Sequence, residues 1–576
     1  MKRYTIYICL IHLFYIGCTK DALIQPKQYP YVITKDVAEI NTSGVTFEAK
    51  IQDYGQEEIT DFGFLWSDGK TEYKYSLQNS GTLNDFKIRI STDLENGLPY
   101  TCRSYVKTVK KLVLGNKVSF VSLGSENPII ADFNPKEGFD GTLMKLKVKY
   151  LSQYLINNKV FINNLPAEII SLSGDTIVVM TPSMAFAGDA TVSVKVGSQQ
   201  STSNTKFKIF GPEIESVSSL SGHSGNYITI KGKNLIQNGN NIDVSFGSYP
   251  AEKISYSGTQ IDIIVPMPAQ GMFSDKSFLL SDQSLFINIK NGLKTTSFNR
   301  SFLIIKSWET RSPTPFNWSY KYEAITYMEK GYILELNIKQ FYEYNPNSDQ
   351  WNSFSSVLYP ADRNEGSLYV VSGNNCFKVG GYNWMNLPIY ELWAFDFTAK
   401  TWNKKRNVPF SFSYATFFNL NSQFYIITKN GEFWKCDFEN EVYTRLKNFP
   451  ITYDNYFIST FIANGKALVV CYGHTYQYDD TSDSWIEKSI NPFSKKQYFV
   501  QAIGFSTNGT GYVLNLGIEL YKYDLANDRW ILVSYYPGSR SDNSYKTTFV
   551  IGGKAYVAAT SGNYVGNSPL MYSYQE

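Results

Sequence analysis

One line of residues recurs five times in the C-terminal half of this 576-residue chain, and it constrains the fold more than any other feature. It reads Phe341-Tyr-Glu-Tyr-Asn-Pro-Asn-Ser-Asp-Gln-Trp351, then Leu392-Trp-Ala-Phe-Asp-Phe-Thr-Ala-Lys-Thr-Trp402 and Phe433-Trp-Lys-Cys-Asp-Phe-Glu-Asn-Glu-Val-Tyr443. Thr475-Tyr-Gln-Tyr-Asp-Asp-Thr-Ser-Asp-Ser-Trp485 and Leu520-Tyr-Lys-Tyr-Asp-Leu-Ala-Asn-Asp-Arg-Trp530 complete the set. Aromatics alternate at period two, as at Tyr342 and Tyr344 or Tyr521 and Tyr523, which places them on one face of a strand. Asn345, Asp396, Asp437, Asp479 and Asp524 follow, a residue type that bonds its own backbone and opens a tight turn. Each line therefore predicts a hairpin, and a repeat of roughly 40 to 50 residues built from short aromatic strands predicts a β-propeller.

The ends of the repeat set the blade count. Positions 351, 402, 443, 485 and 530 lie 51, 41, 42 and 45 residues apart, and Trp308 lies 43 before the first of them. Met571-Tyr-Ser-Tyr-Gln-Glu576 reproduces the aromatic strand without a following Trp. Trp308 is thus expected to supply the outer strand of the last blade, closing a ring of six with no free sheet edge.

This half, residues 307–576, resembles the Kelch family of propellers. The resemblance rests on the Tyr-x-Tyr-Asp-x(5)-Trp lines and on strands ending in glycine; the family's double glycine is intact at Gly380-Gly381, with single glycines at Gly473 and Gly517. It implies that loops after the second strand of each blade, and those leading into each blade, form a recognition face.

The N-terminus carries a second signal. Met1-Lys-Arg supplies charge, Tyr4 to Tyr15 an apolar stretch, and Ile16-Gly17-Cys18 a small residue before cysteine, the pattern of a secretory signal over residues 1–17 and too short to span a bilayer. The segment resembles a bacterial lipoprotein box, which implies lipidation of Cys18; Lys20-Asp21 is similar to the charged tag of outer-surface lipoproteins in Bacteroidota. Removing Lys2 and Arg3 from 54 basic residues against 51 acidic leaves a mature charge of about +1, so neither nucleic acid nor another strongly electrostatic partner is expected. Beyond Cys9 and Cys18 the cysteines are Cys102, Cys376, Cys436 and Cys471; no CxxC pair is present, and Cys436 and Cys471 read as small buried hydrophobes.

A tether over residues 18–29 precedes three sandwich-like segments. Residues 30–125 alternate in short strands, among them Asp61-Phe-Gly-Phe-Leu-Trp-Ser67, with Trp66 a core residue. Leu98-Pro-Tyr100 followed by Arg103-Ser-Tyr-Val106 resembles the fibronectin type III fold. Residues 126–210 and 211–306 share an order of proline lead-in, glycine turn, strand, Pro-Ala hairpin and Pro-terminated strand, seen in Pro128, Gly141, Pro166-Ala167 and Pro182 and again in Pro212, Gly225, Pro250-Ala251 and Pro266. Both resemble the IPT/TIG family of immunoglobulin-like domains, which implies spacer modules. The expected fold class is all-β: tandem immunoglobulin-like β-sandwiches followed by a six-bladed Kelch-like β-propeller.

Chemistry is harder to place. Kelch-like propellers include a copper oxidase whose metal needs two histidines, and only His474 falls in this propeller, with His223 in the preceding domain, so no such copper site is expected. Mutarotases of this fold need carboxylate and Arg or His groups in the central mouth, for which Arg363, Glu365 and Arg406 are the loop candidates. No catalytic residue, metal or cofactor is assigned. The longest repeat interval contains Gly380-Gly-Tyr-Asn-Trp-Met-Asn-Leu-Pro388, whose Tyr382 and Trp384 lie outside the repeating columns, a position suited to stacking on sugars or anchoring a protein. Trp318 and Tyr320 form a second candidate cluster. The reading is a lipid-anchored outer-membrane binding protein facing the cell exterior, taking a polysaccharide or glycoprotein, beside an outer-membrane importer. The alternatives are a protein–protein scaffold or adhesion factor, and a mutarotase-type enzyme.

Overall fold

A computed structural model describes residues 27–77, 84–236, 242–267, 277–315, 322–335, 340–354, 366–383, 385, 387–410, 415–452, 458–471, 473–493, 502–515, 518–538, 546–559 and 570–576. The chain is all-β and divides into two compact units, residues 1–210 and 211–576. Among the described residues no helix is long and apolar enough to cross a membrane.

The first unit holds two sandwiches. In the first, strand Gly44–Asp53 pairs with Tyr31–Thr34, Ala38–Asn41 and Asp85–Ile90, and faces a sheet in which Ile59–Ser67 lies between Glu72–Ser76 and Pro99–Thr108. Alternation along these strands buries Phe47, Phe64 and Trp66 between the sheets, so Trp66 is the core residue its pattern predicts. The second sandwich fills its core with Met144, Leu146, Val148, Ile177 and Val194. The two sandwiches touch through Tyr154, whose ring meets Tyr73 edge-on at 5.3 Å, and through Glu95, which accepts the Ser198 amide at 2.8 Å.

The second unit joins the third sandwich to six four-stranded antiparallel sheets, the blades of the propeller. The blades span residues 322–354, 368–404, 416–446, 458–487, 503–535 and 546–574. The sixth is completed by Trp308–Arg311, which pairs antiparallel with Leu570–Tyr574, Trp308 opposite Tyr574. Closure therefore runs through the tryptophan that the repeat spacing singles out.

The recurring line is a hairpin in all five copies. Its fifth residue, Asp or Asn, closes the turn: Asp396 accepts the amides of Thr398 and Ala399 at 2.8 and 2.9 Å, and Asn345, Asp437, Asp479 and Asp524 each accept an amide in their own turns. A second device, two residues before the Trp, ties neighbouring blades together. Asp483 sits in left-handed backbone at φ 44°, receives the Tyr478 phenol at 3.0 Å and receives the Lys447 amide of the preceding blade at 3.0 Å, while Trp485 Nε1 donates to the Lys447 carbonyl at 3.4 Å. Asp349 and Trp351 grip Ser312 in the same way, at 3.1 and 3.3 Å. Asp528 takes the Tyr523 phenol and the Ser489 amide. In the second and third blades the corresponding residues are Phe395, Lys400 and Trp402, and Cys436, Glu441 and Tyr443, so the same clamp cannot form; there Arg406 reaches Glu441 at 3.6 Å instead.

Close packing between blades also relies on missing side chains. A Cβ on Gly511 would fall 2.1 Å from the Phe461 ring, and one on Gly331 2.2 Å from the Phe549 ring, so a blade's second strand gives way to the aromatic of its neighbour's inner strand.

The clamp carries a pH signature. Burial raises the Asp528 carboxyl, but the Tyr523 phenol and the Ser489 amide outweigh it and hold the pKa below its ordinary value. A depressed carboxyl stabilises the fold above the unfolded-state pKa, near ~3.9, and that contribution disappears as pH falls through the lower native value. Asp528→Asn is therefore expected to lower urea stability at pH 7, by at most about 1 kcal/mol because solvent screens a carboxylate that is 41% exposed. The difference from wild type should shrink as pH falls through the lowered native value, below which both states bind the proton.

Candidate functional site

Six inner strands, one from each blade, surround a central channel of about 420 Å³. Its lining includes Glu323, Ser367, Thr416, Ser459 and Lys546 at or near the start of those strands and Asn419, Ile462 and Ser506 toward their ends, so the cavity runs along the inner strands and reaches the face on which they begin. Hydroxyls stitch the seams between inner strands. Thr460 Oγ1 donates to the Phe417 carbonyl at 2.6 Å, Thr326 Oγ1 to the Val550 carbonyl at 3.0 Å, and Ser506 Oγ accepts the Ile462 amide at 2.8 Å. Gly504 allows the tightest of these approaches, since a Cβ there would sit 2.2 Å from the Thr460 carbonyl oxygen. The result is a tube of mixed lining, more polar than apolar, whose size lies within the range of small-ligand sites.

The 380–391 excursion of the second blade leaves from the same face and is a built hairpin. Gly381 accepts the Ile389 amide at 2.8 Å, the Asn383 amide donates to the Leu387 carbonyl at 2.9 Å, and Asn383 Oδ1 caps the amides of Met385 and Leu387 at 3.0 Å each. Tyr382 bridges Pro388 across this hairpin and is 9% exposed, which corrects the expectation that it offers a free ring: its position outside the repeat columns leaves it packed all the same. The residues the hairpin turns to solvent are Met385, Leu387 and Tyr390, at 51, 53 and 42% exposure. Beneath it Lys378 is fully buried, and burial brings its ammonium down to about 8 while Glu391 opposes the fall. Trp384, Trp318, Tyr320, Arg363, Glu365 and Cys18 lie outside the described residues.

The other titratable candidates have structural partners. His474 Nδ1 lies 2.8 Å from Glu487 with its ring against Tyr476, and His223 lies 3.2 Å from Ser307 Oγ. Cys102, Cys376, Cys436 and Cys471 are free thiols buried in the cores, as the reading of Cys436 and Cys471 anticipates. Among the described residues no group of three or more His, Cys, Asp or Glu is placed to hold a metal.

The third sandwich is fixed to the propeller's fifth and sixth blades, which the spacer reading does not anticipate. Ile264 and Leu279 share a core with Trp308, Ile531, Val533 and Tyr536. Gly225, at φ 88°, brings its backbone so near that a Cβ would lie 2.3 Å from Val533. Around this core Tyr227 donates to Asp524, Arg529 meets Glu252 at 3.1 Å, and Asn226 and Lys522 converge on Glu576 at 2.7 and 2.5 Å. Burial, followed by Asp524, pushes the Tyr227 phenol up to about 12, so it stays a donor.

The IPT/TIG domain family model matches residues 128–209 and 212–284, so the second and third sandwiches are two IPT/TIG domains. No curated protein matches the chain. The crystal structure of a structural genomics protein of unknown function from Bacteroides thetaiotaomicron is similar over 78% of this chain and 98% of its own, at 10% identity and a TM-score of 0.32. The structure of YjhT is similar over 46% of this chain and 95% of its own, at 10% identity and a TM-score of 0.37.

Proposed function

We propose that this chain is a non-catalytic binding protein of the cell surface, in which a Kelch-like propeller takes a carbohydrate or glycoprotein at the mouth of its central channel. A fibronectin type III-like domain and the first IPT/TIG domain lead from a lipid anchor at Cys18, and the second IPT/TIG domain acts as a bracket on the propeller. The observation that carries the reading is the channel itself: about 420 Å³ lined by hydroxyls, an amide and the charged ends of Glu323 and Lys546, donors and acceptors suited to a polyhydroxyl ligand. The apolar tip of the 380–391 hairpin on the same face suits the protein part of a glycoprotein, and adhesion or scaffolding is the alternative it favours. An importer partner and exposure on the outer leaflet belong to the same proposal.

Two experiments test it. Titration of the mature chain with a polysaccharide panel is expected to find a ligand whose affinity drops at least tenfold in Asn419→Ala and Glu323→Gln with the melting temperature unchanged; binding indifferent to both variants would remove the channel from the reading. Cys18→Ser is expected to move the processed protein from the membrane fraction to the soluble one, because acylation is the only anchor proposed.

A further inference from the structure

The solvent face of the first sandwich carries a second polar cavity, of about 430 Å³, remote in sequence from the propeller and independent of the reading above. Strand register builds its floor. Leu65 stands opposite Arg103, Ser67 opposite both Thr101 and Glu72, and Thr101 opposite Ser119. Cys102 pairs with Val118, so the next position along sets Lys117 beside Arg103 on the adjacent strand. Two rows result: Ser67, Thr101 and Ser119 present hydroxyls, and one pleat along Leu65, Arg103 and Lys117 present an apolar patch with two cations.

The cations lack a counter-charge. Among the described residues neither Arg103 nor Lys117 makes an ion pair, and Arg103 Nε is buried without a hydrogen-bond partner. Other cations of this sandwich find acids: Lys74 meets Asp61 at 2.9 Å and Lys110 meets Glu57 at 2.8 Å. Like charges facing each other across adjacent strands destabilise a sheet, and a bound anion between them reverses the sign. The acids at the rim do not supply it. Asp68 spends its carboxylate on the amides of Thr71 and Lys70 in its own turn, at 2.8 and 2.9 Å, which hold its pKa below the ordinary value. Glu72 stands at the opposite edge beyond Ser67, placed as an acceptor for a hydroxyl.

We propose that this face is a binding site for an acidic sugar residue, with a carboxylate or sulfate held between Arg103 and Lys117 and ring hydroxyls against Ser67, Thr101, Ser119 and Glu72. The row of hydroxyls with an acceptor at its end favours a sugar over an acidic peptide, whose backbone brings few hydroxyls to meet them.

The test uses the full mature chain with polygalacturonate and dextran sulfate as probes, and neutral dextran and polyglutamate as comparisons. Wild type is expected to bind at least one of the two probes in a salt-sensitive manner and to ignore neutral dextran. Arg103→Gln with Lys117→Gln should weaken that binding at least tenfold, whereas replacing the exposed Lys145, Lys147 and Lys149 of the second sandwich by Gln should leave it unchanged. If the double variant melts early, Lys117→Gln alone, at an exposed position, gives the readout. The proposal is overturned if neither probe binds, if the Arg103 and Lys117 variants bind as wild type, or if the lysine-stripe variant weakens binding as much as they do. Equal binding of polyglutamate would assign the face to acidic peptides, and equal binding of dextran would remove the anionic requirement. Because the substitutions lie in the first sandwich, their outcome is separable from that of the channel variants.

Discussion

A chain beginning at residue 211 is expected to unfold in one cooperative transition, and a chain beginning at residue 307 to melt earlier although it keeps all six blades and the closing strand. The later start removes Ile264 and Leu279 from the core they share with Ile531, Val533 and Tyr536, and strips Tyr227, Asn226 and Glu252 from Asp524, Glu576 and Arg529. Returning two aliphatic side chains such as Ile531 and Val533 to water costs about 3–5 kcal/mol. Calorimetry of the two fragments checks this. Equal melting temperatures would mean that the third sandwich rests on the propeller without stabilising it.

Trp308→Ala is expected to be the most damaging single substitution in the ring. Its side chain has no exposed surface, its indole donates to Ser534 Oγ at 2.8 Å, and its ring lies 5.1 Å from Tyr574 and 5.8 Å from Tyr536. Truncating a buried aromatic costs about 3–5 kcal/mol, and here it also leaves a 2%-exposed Ser534 without its donor. Trp308→Phe should recover much of that loss, because the ring survives and only the hydrogen bond goes. The check is a urea titration of both variants in the 211–576 fragment; if alanine and phenylalanine are equally mild, closure does not depend on this residue.

The ring was legible in the sequence because five of the six blades repeat one instruction: an alternating aromatic strand, an Asx turn and a Trp, or Tyr443 in the third blade, opening the next strand. The interblade clamp was less visible, although Asp349, Asp483 and Asp528 all stand two residues before a Trp, because Lys400 and Glu441 interrupt the column. Docking of the third sandwich was not legible at all. Gly225, Tyr227 and Glu252 occupy the places of Gly141, Leu143 and Glu168 in the second sandwich, 84 residues earlier; a Cβ at Gly141 would meet nothing within 4 Å, whereas one at Gly225 would collide with Val533. The same local pattern thus serves an open turn and a buried one, and only the neighbour distinguishes them. Tyr382 fails for a related reason: absence from a repeat column says where a ring is not, and the hairpin built on Asn383 folds it inward. The channel lining was illegible because its polar residues come from six separated strands with no shared spacing. Likewise Arg103 and Lys117 look like ordinary solvated charges until sheet register sets them side by side.

Amide hydrogen exchange of the mature chain, with and without the polysaccharide that binds it most tightly, tests the functional reading most directly. The account predicts added protection along the inner strands, at residues 416–419 and 546–548, with the third sandwich unchanged. A polysaccharide that binds without protecting any inner strand, or a panel in which none binds while the 380–391 hairpin becomes protected by a protein partner, would contradict it.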